Sequence, residues 1–428
     1  MKKNFIPAVM MTMVVLMTAC SADEVPEAMP EPSKTYQKSI SRNVTNAKTV
    51  LVYIAGNNDL NLAIDSDLKE MKEGSKRLKE DESLLVFVRR DHNRENPWFA
   101  RIKNGFVTDS VSISDMGINS SDGQNRASDP AVMEGVIRYA FNHYAAASNY
   151  YGLVLWGHGS GWLMEQEVEK AGSRGFGMDY GNSNENKDIR WMNMTTMASL
   201  LKGLPHLKFI MGDCCHLMCL ENLYELRNTC DYIIGSPAEI PDFGAPYDQI
   251  VPDMFADGQF YANIVNKYHT SVDGKLPLAA VQTSEMENLA QATREPLKAI
   301  KAKLGNDYAD MTGIIHYYHT DNSDQFLPEH NIFYDAGDFI RTHAPQDVYA
   351  QWKQALDKAV VASRTATIWA TNKLWSKKYS DFKVTDEKMH CVSMFVKQDP
   401  TKGYYAKYNE DIKQLSWYNA AGLNEIGW

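Results

Sequence analysis

The chain has 428 residues, 44% of them hydrophobic, and a formal net charge of −10. That length supports a large core, most simply in two structural units. The acidic balance, with no basic stripe anywhere, argues against a nucleic-acid partner and is compatible with attraction of basic substrates.

The first twenty residues read as an export signal. Lys2 and Lys3 precede an apolar run from Phe5 to Met17 that is too short to be a finished membrane anchor. Met17-Thr18-Ala19-Cys20 resembles a bacterial lipobox, in which Cys20 becomes the lipidated first residue. The plainer alternative is a cleaved signal peptide with an incidental cysteine. From Ser21 to about Thr45, Asp23, Glu24, Glu27 and Glu31 are interspersed with Pro26, Pro30 and Pro32, and little is available to bury. Such a segment is expected to be a disordered tether. The expected divisions are a signal peptide over 1–20, a tether over 21–46, a catalytic domain over 47–256 and a smaller subdomain over 257–428 packed on it.

Beyond the tether, strands alternate with helices. Thr49–Ala55 reads as a buried strand closed by Gly56-Asn57-Asn58, and Leu60–Leu78 as a helix with Leu60, Ile64, Leu68 and Met71 on one side. Ser83–Val88 follows as a strand, Pro130–Tyr144 as a helix, and Tyr151–Trp156 as a strand broken by Gly157-His158-Gly159. A polar stretch covers about 165–188. Met192–Leu204 then reads as a helix and Leu207–Met211 as a strand that ends in Gly-Asp-Cys-Cys and enters a helix running to about Arg227. Tyr232–Gly235 and Leu276–Gln282 are strands, Glu285–Leu304 a helix, Phe333–Thr342 and Gln351–Ser363 helical, and Val392–Val396 a late strand. This alternation predicts an α/β fold with a mostly parallel sheet covered on both faces. In such sheets reactive groups lie beyond the carboxyl ends of the strands. His158 and the Cys214-Cys215 pair occupy two such positions.

Apart from Cys20, the cysteines are Cys214, Cys215, Cys219, Cys230 and Cys391. The odd, clustered set is no disulfide framework and suggests a thiol kept for chemistry. Cys215, between a strand and a predicted helix, is expected at a helix N-terminus that favours the thiolate. The competing reading of any free cysteine is a small buried apolar residue. A histidine and a cysteine at equivalent ends of neighbouring strands form a base and a nucleophile.

These residues also match a family. Trp156-Gly157-His158-Gly159-Ser160-Gly161-Trp162 resembles the Trp-x-His-Gly-x-Gly-Trp segment of clostripain-like cysteine peptidases, and Phe209–Glu221 resembles their strand followed by Asp-Ala-Cys-Leu-Met and a later Glu. Met218 and Glu221 set the register, which makes Cys215 rather than Cys214 the nucleophile. Asn57 stands where many relatives have Asp, and His216 where many have Leu. The resemblance implies a caspase-like fold with a smaller C-terminal α/β unit, catalysis by His158 and Cys215, and an oxyanion held by the N–H groups of Gly159 and Cys215. It also implies cleavage after Arg or Lys, with Asp213 meeting the basic side chain. Asp213 has helix capping as its alternative, and Glu239 and Asp242 are rival sources of pocket charge. Relatives are often activated by cutting themselves between the His and Cys segments, for which Lys170 and Arg174 are the candidates here.

The implied partners are protein or peptide substrates with basic residues and a membrane reached through the lipid anchor. The implied location is the bacterial outer membrane or cell surface. No cofactor is called for, and calcium is the one assisting ion left open. Two other readings compete: a catalytically silent peptide-binding lipoprotein of the same fold, and a metal site built from Cys214, Cys215, Cys219, His216 and His158, whose spacing lacks the usual paired zinc ligands.

Overall fold

A computed structural model of the chain describes residues 46–91, 93, 95–164, 175–182, 188–317, 332–367, 384–402 and 405–428. The expected export signal with Cys20, nearly all of the expected tether, and Lys170 and Arg174 lie outside the described residues. In chain order, β1 (Asn46–Ala55) leads through a short 3₁₀ turn at Asp59–Leu62 into α1 (Ile64–Ser75) and β2 (Glu82–Arg89). Next come β3 (Trp98–Lys103), β4 (Phe106–Ser112), α2 (Pro130–His143) and β5 (Ala146–Gly157). A small pair, β6 (Phe176–Asp179) and β7 (Arg190–Met192), precedes α3 (Met194–Lys202), β8 (Leu207–Asp213), α4 (Leu220–Leu226) and β9 (Cys230–Gly235). Then follow α5 (Tyr247–Met254), α6 (Phe260–Ser271), β10 (Leu278–Gln282) and α7 (Met286–Leu304). The last elements are β11 (Tyr334–Asp335), α8 (Ala336–His343), α9 (Gln346–Ala359), β12 (Val360–Arg364), β13 (Ser393–Met394), α10 (Tyr405–Asp411) and α11 (Ser416–Ala420). No helix among the described residues is long and apolar enough to cross a membrane.

Nine strands form one sheet in the order β12-β10-β9-β8-β5-β1-β2-β3-β4. The five central strands, β9 to β2, are parallel, and an antiparallel pair extends each edge. The alternation of side chains explains why both faces need cover. Val50, Val52 and Ile54 of β1 join a core layer with α1, α5 and α6, while Leu51, Tyr53 and Ala55 join the opposite layer with α2, α3 and α4. In β8, Phe209 and Met211 face the first layer and Ile210 the second. A fully buried aliphatic side chain contributes about 1.5–3 kcal/mol, so this two-sided burial is what holds the central strands in register.

The expected strands and helices of the central sheet are present. The sequence reading passed over β3 and β4, which join through Asn104-Gly105, both at positive φ, as a two-residue hairpin turn requires. It also carried a helix through Ser363, whereas α9 ends at Ala359 and the β-branched Val360-Val361 opens the edge strand β12. β10 and β12 come from the second half of the chain yet complete the same sheet.

The later segments are tied back by buried carboxylates. Glu221 of α4 accepts the Phe395 N–H at 2.8 Å, and Ser393 donates its N–H to Met218 O at 2.9 Å. Burial pushes the Glu221 carboxyl up to about 7, and its second oxygen has no hydrogen-bond partner. A carboxyl whose affinity for protons rises on folding favours the folded state at low pH, and this advantage is lost as pH climbs from its unfolded value near 4.5 to about 7. Glu221→Gln keeps an acceptor for Phe395 and removes the titration. Its denaturation free energy is expected to exceed that of the natural protein at pH 8, by up to about 3 kcal/mol, and to converge with it near pH 4.5. Equal pH dependence in urea titrations of the two proteins would contradict this.

Candidate active site

The order of the central strands puts a switch point between β1 and β5, because the chain runs from β1 outward to β2 on one side and from β5 through β8 to β9 on the other. Crevices beyond the carboxyl ends of strands open at such points. The residues beyond β1, β5 and β8 are Asn57-Asn58-Asp59, His158-Gly159 and Cys214-Cys215. Trp156 is paired with Asp213 in the β5–β8 ladder, so His158 and Cys215 each stand two residues past paired positions. The two turns touch. A Cβ on Gly159 would lie 2.6 Å from the Cys215 carbonyl and 3.3 Å from the Cys214 sulfur, so a side chain there would force them apart.

Cys214 and Cys215 divide by side. Cys214 is 2% exposed and belongs to the core layer of α2 to α4, whereas Cys215 is partly exposed. The Ile240 N–H points at the Cys215 sulfur at 3.4 Å. The expected helix N-terminus is absent at this position. Residues 214–218 form a turn, and α4 begins only at Leu220. His216 has φ +56°, outside the helical region, and the N–H groups of His216 and Met218 donate to Ala238 O and Ser236 O instead of starting a helix. Without a helix dipole the thiol is not lowered. Burial, followed by the Glu239 charge, pushes it up to about 12. His216 itself turns away, stacking on Phe333 at 4.3 Å with Nδ1 near Pro237 O at 2.8 Å.

The His158 Nε2 lies 2.7 Å from Asp59 Oδ1, a carboxylate that the sequence reading missed. The Trp191 ring is 6.2 Å from the imidazole between centroids. A strap crosses the histidine turn: Gly177 N–H donates to His158 O at 2.9 Å and Ser160 N–H to Gly175 O at 2.9 Å, with Gly159 bridged to Phe176. Those flanking bonds use Ser160 and Gly177, leaving the Gly159 N–H outside the ladder. The strap is anchored by Asp179, whose carboxylate accepts from Asn57 Nδ2 at 2.6 Å, Ala127 N at 2.8 Å and Arg89 Nε at 3.3 Å.

Asp213 lies on the same face of β8 as Phe209 and Met211, and this face meets α1, α5 and α6. Its carboxylate is 3% exposed and accepts from Tyr247 Oη at 2.8 Å, Tyr268 Oη at 3.2 Å and Ala245 N at 3.2 Å. It caps no helix, since α4 starts seven residues later. Burial raises its pKa. Glu239 is 9% exposed and acts on the thiol, while Asp242 sits partly exposed in the turn before Gly244. Thiol, imidazole, carboxylates and the Gly159 N–H thus gather at one end of the sheet, a set suited to nucleophilic attack on a carbonyl. No group of three or more His, Cys, Asp or Glu side chains among the described residues is placed to hold a metal ion.

The description of the clostripain family matches residues 52–428. A secreted C11 cysteine protease from Bacteroides thetaiotaomicron, solved with an irreversible peptide inhibitor, is 26% identical. It covers 89% of this chain and all of its own, with a TM-score of 0.68. An inactive zymogen C11 protease from Parabacteroides distasonis is 24% identical over 88% of this chain and 98% of its own, with a TM-score of 0.69. A second secreted C11 protease from Bacteroides thetaiotaomicron, iotapain, is 19% identical over 88% and 99%, at 0.61. The last two likenesses speak to the fold alone. No match was found among curated proteins.

The Glu239 charge beside the thiol generates a direct prediction. Glu239→Gln is expected to make the thiolate easier to form, so that iodoacetamide modifies Cys215 severalfold faster at pH 8, read by peptide mass spectrometry. An unchanged rate would show that the carboxylate does not act on the sulfur.

Proposed function

The chain belongs to the clostripain family of cysteine peptidases, and we propose that it is an endopeptidase that cleaves after Arg or Lys using Cys215 as nucleophile and His158 as proton carrier. The observation that carries this reading is the contact between the two turns beyond β5 and β8, with Asp59 bonded to the imidazole at 2.7 Å. With its Nε2–H donated to Asp59, His158 has its lone pair on Nδ1. That atom takes the thiol proton as the sulfur attacks the scissile carbonyl. The Gly159 and Cys215 N–H groups receive the oxyanion. The C–N bond then breaks, and the proton passes to the leaving amine. Water, deprotonated by the same nitrogen, releases the acyl group and restores the thiol. Asp59 acts here as a positioning residue that fixes the tautomer and ring angle.

The high thiol pKa fits this sequence of events. A partly exposed thiol beside Glu239 stays protonated until a base and a substrate arrive together. A basic side chain entering beside Asp213, Glu239 and Asp242 offsets their charge as it binds.

Self-processing belongs to the same reading. Lys170 and Arg174 fall in a polar segment, and Gly175, just after Arg174, is pinned by its N–H to Ser160 Oγ at 2.7 Å. A cut there leaves the strap across the histidine turn held by its own hydrogen bonds. The lipid anchor at Cys20 accounts for the export signal and the acidic tether, and palmitate labelling lost on Cys20→Ser tests it.

Cleavage-site profiling on a mixed peptide library is expected to place Arg or Lys immediately before every cut. Cys215→Ala should lower turnover by at least about 1,000-fold, in line with loss of a nucleophile, and leave the chain whole on incubation. A profile without basic preference would overturn the role of Asp213, and full activity of Cys215→Ala would overturn the mechanism.

A further inference from the structure

We propose that Asp67 is a second acidic residue of the pocket for the substrate's basic side chain, acting with Asp213, whose carboxyl group lies close to it beside Gly244. This rests on the basic specificity proposed above. Asp67 lies in the first turns of α1 and is fully buried. Its Oδ2 accepts the Trp156 Nε1–H at 2.5 Å, while Oδ1, equally buried, has no hydrogen-bond partner. Trp156 is the residue paired with Asp213 in the central ladder, so the two acids approach from opposite elements toward one point. Gly244, at φ +62°, marks that point. A Cβ there would stand 2.9 Å from Asp213 Oδ2 and 3.3 Å from Asp67 Oδ2. Any side chain at 244 would crowd both carboxyl groups, so the glycine is what lets the turn approach them.

Two buried carboxyl groups this close do not both ionise without a cation. Among the described residues neither makes an ion pair with a Lys, Arg or His. The groups facing Asp67 are Asp213 from β8, Glu70 from its own helix, Asp242 from the turn before Gly244, and the phenols of Tyr247 and Tyr268 from α5 and α6. Three donors already serve Asp213, but one serves Asp67. Before a cation binds, the proton therefore belongs on Asp67, whose carboxyl burial and the Asp213 charge push up to about 9. The vacant Oδ1 is an acceptor waiting for a donor. A guanidinium carries five N–H groups in a planar fork, and an ammonium three. Either satisfies it once the carboxylic proton leaves to solvent. Entry of the cation thus expels one proton.

The sign follows. The form that attracts the cation is deprotonated, so KM for an Arg or Lys substrate falls as pH rises from 7 toward 9 and then levels. The test compares the active enzyme with Asp67→Asn on fluorogenic peptides ending in Arg or Lys, from pH 6.5 to 9.5. The expected result is a KM raised about tenfold or more in the variant, a smaller change in kcat, and loss of the fall in KM with pH. Calorimetry supplies a measurement that does not depend on the variant folding: Cys215→Ala binds an Arg-ended peptide at pH 7.5 in two buffers of different ionisation enthalpy. Release of close to one proton supports the inference, and no release overturns it. If the natural enzyme cuts after basic residues while Asp67→Asn keeps its KM and pH slope, Asp67 is structural and the inference fails with the specificity intact. If the natural enzyme does not cut after basic residues, the specificity itself fails.

Discussion

Strands β5 and β8 lie side by side in parallel, with Trp156 opposite Asp213. That pairing decides where the chemistry goes. The chain beyond each strand leaves the sheet at the same height, so the histidine turn and the cysteine turn meet. Gly159 closes the distance to the Cys215 carbonyl, and the Gly175–Asp179 strap crosses from the other side. Parity along β8 does the rest: odd positions face α1, α5 and α6, so Asp213 is carried into the phenols of Tyr247 and Tyr268 while Cys214 joins the opposite core. A one-residue slip of either strand would reverse these faces and dismantle the site.

The carboxyl groups around Asp213 and the thiol share one electrostatic character. Asp67, Glu70 and Asp213 are all pushed up in pKa, chiefly by burial, and Glu239 adds to the same effect on the thiol. Such a cluster opposes folding unless protons or a cation occupy it. The fold offsets this strain with its two-sided sheet core. Under the proposed specificity, a substrate cation that offsets these carboxyl groups also offsets the Glu239 and Asp213 charges, which add to burial in raising the thiol.

Much of this was legible from residue types alone. The five central strands showed as apolar runs, and the glycine-flanked histidine and vicinal cysteines stood at strand ends, where α/β sheets place reactive groups. The misread helix start has a local cause. Leu217 to Glu221 has helical composition, but His216 in the left-handed region and the outward bonds of His216 and Met218 hold the chain in a turn until Leu220. That competition is tertiary and left no mark in the periodicity. Asp59 and Asp67 were open to detection. Asp59 follows the turn that closes β1, at the switch point. Asp67 interrupts the apolar stripe of Ile64, Leu68 and Met71, and a charged residue on a buried face asks for an explanation. The Asn104-Gly105 hairpin was likewise readable as a turn signal. The edge strand β12 was hidden because its residues continue α9 without a break.

The proposed function centres on Cys215 as the nucleophile beside an acidic pocket for a basic side chain. An irreversible peptidyl chloromethyl ketone ending in Arg or Lys, followed by tandem mass spectrometry of the modified protein, tests this most directly. The account predicts one adduct, on Cys215, absent after His158→Ala and outcompeted by an excess of an Arg-ended peptide. Modification of Cys214 instead, or equal labelling by a ketone ending in Glu, would contradict it.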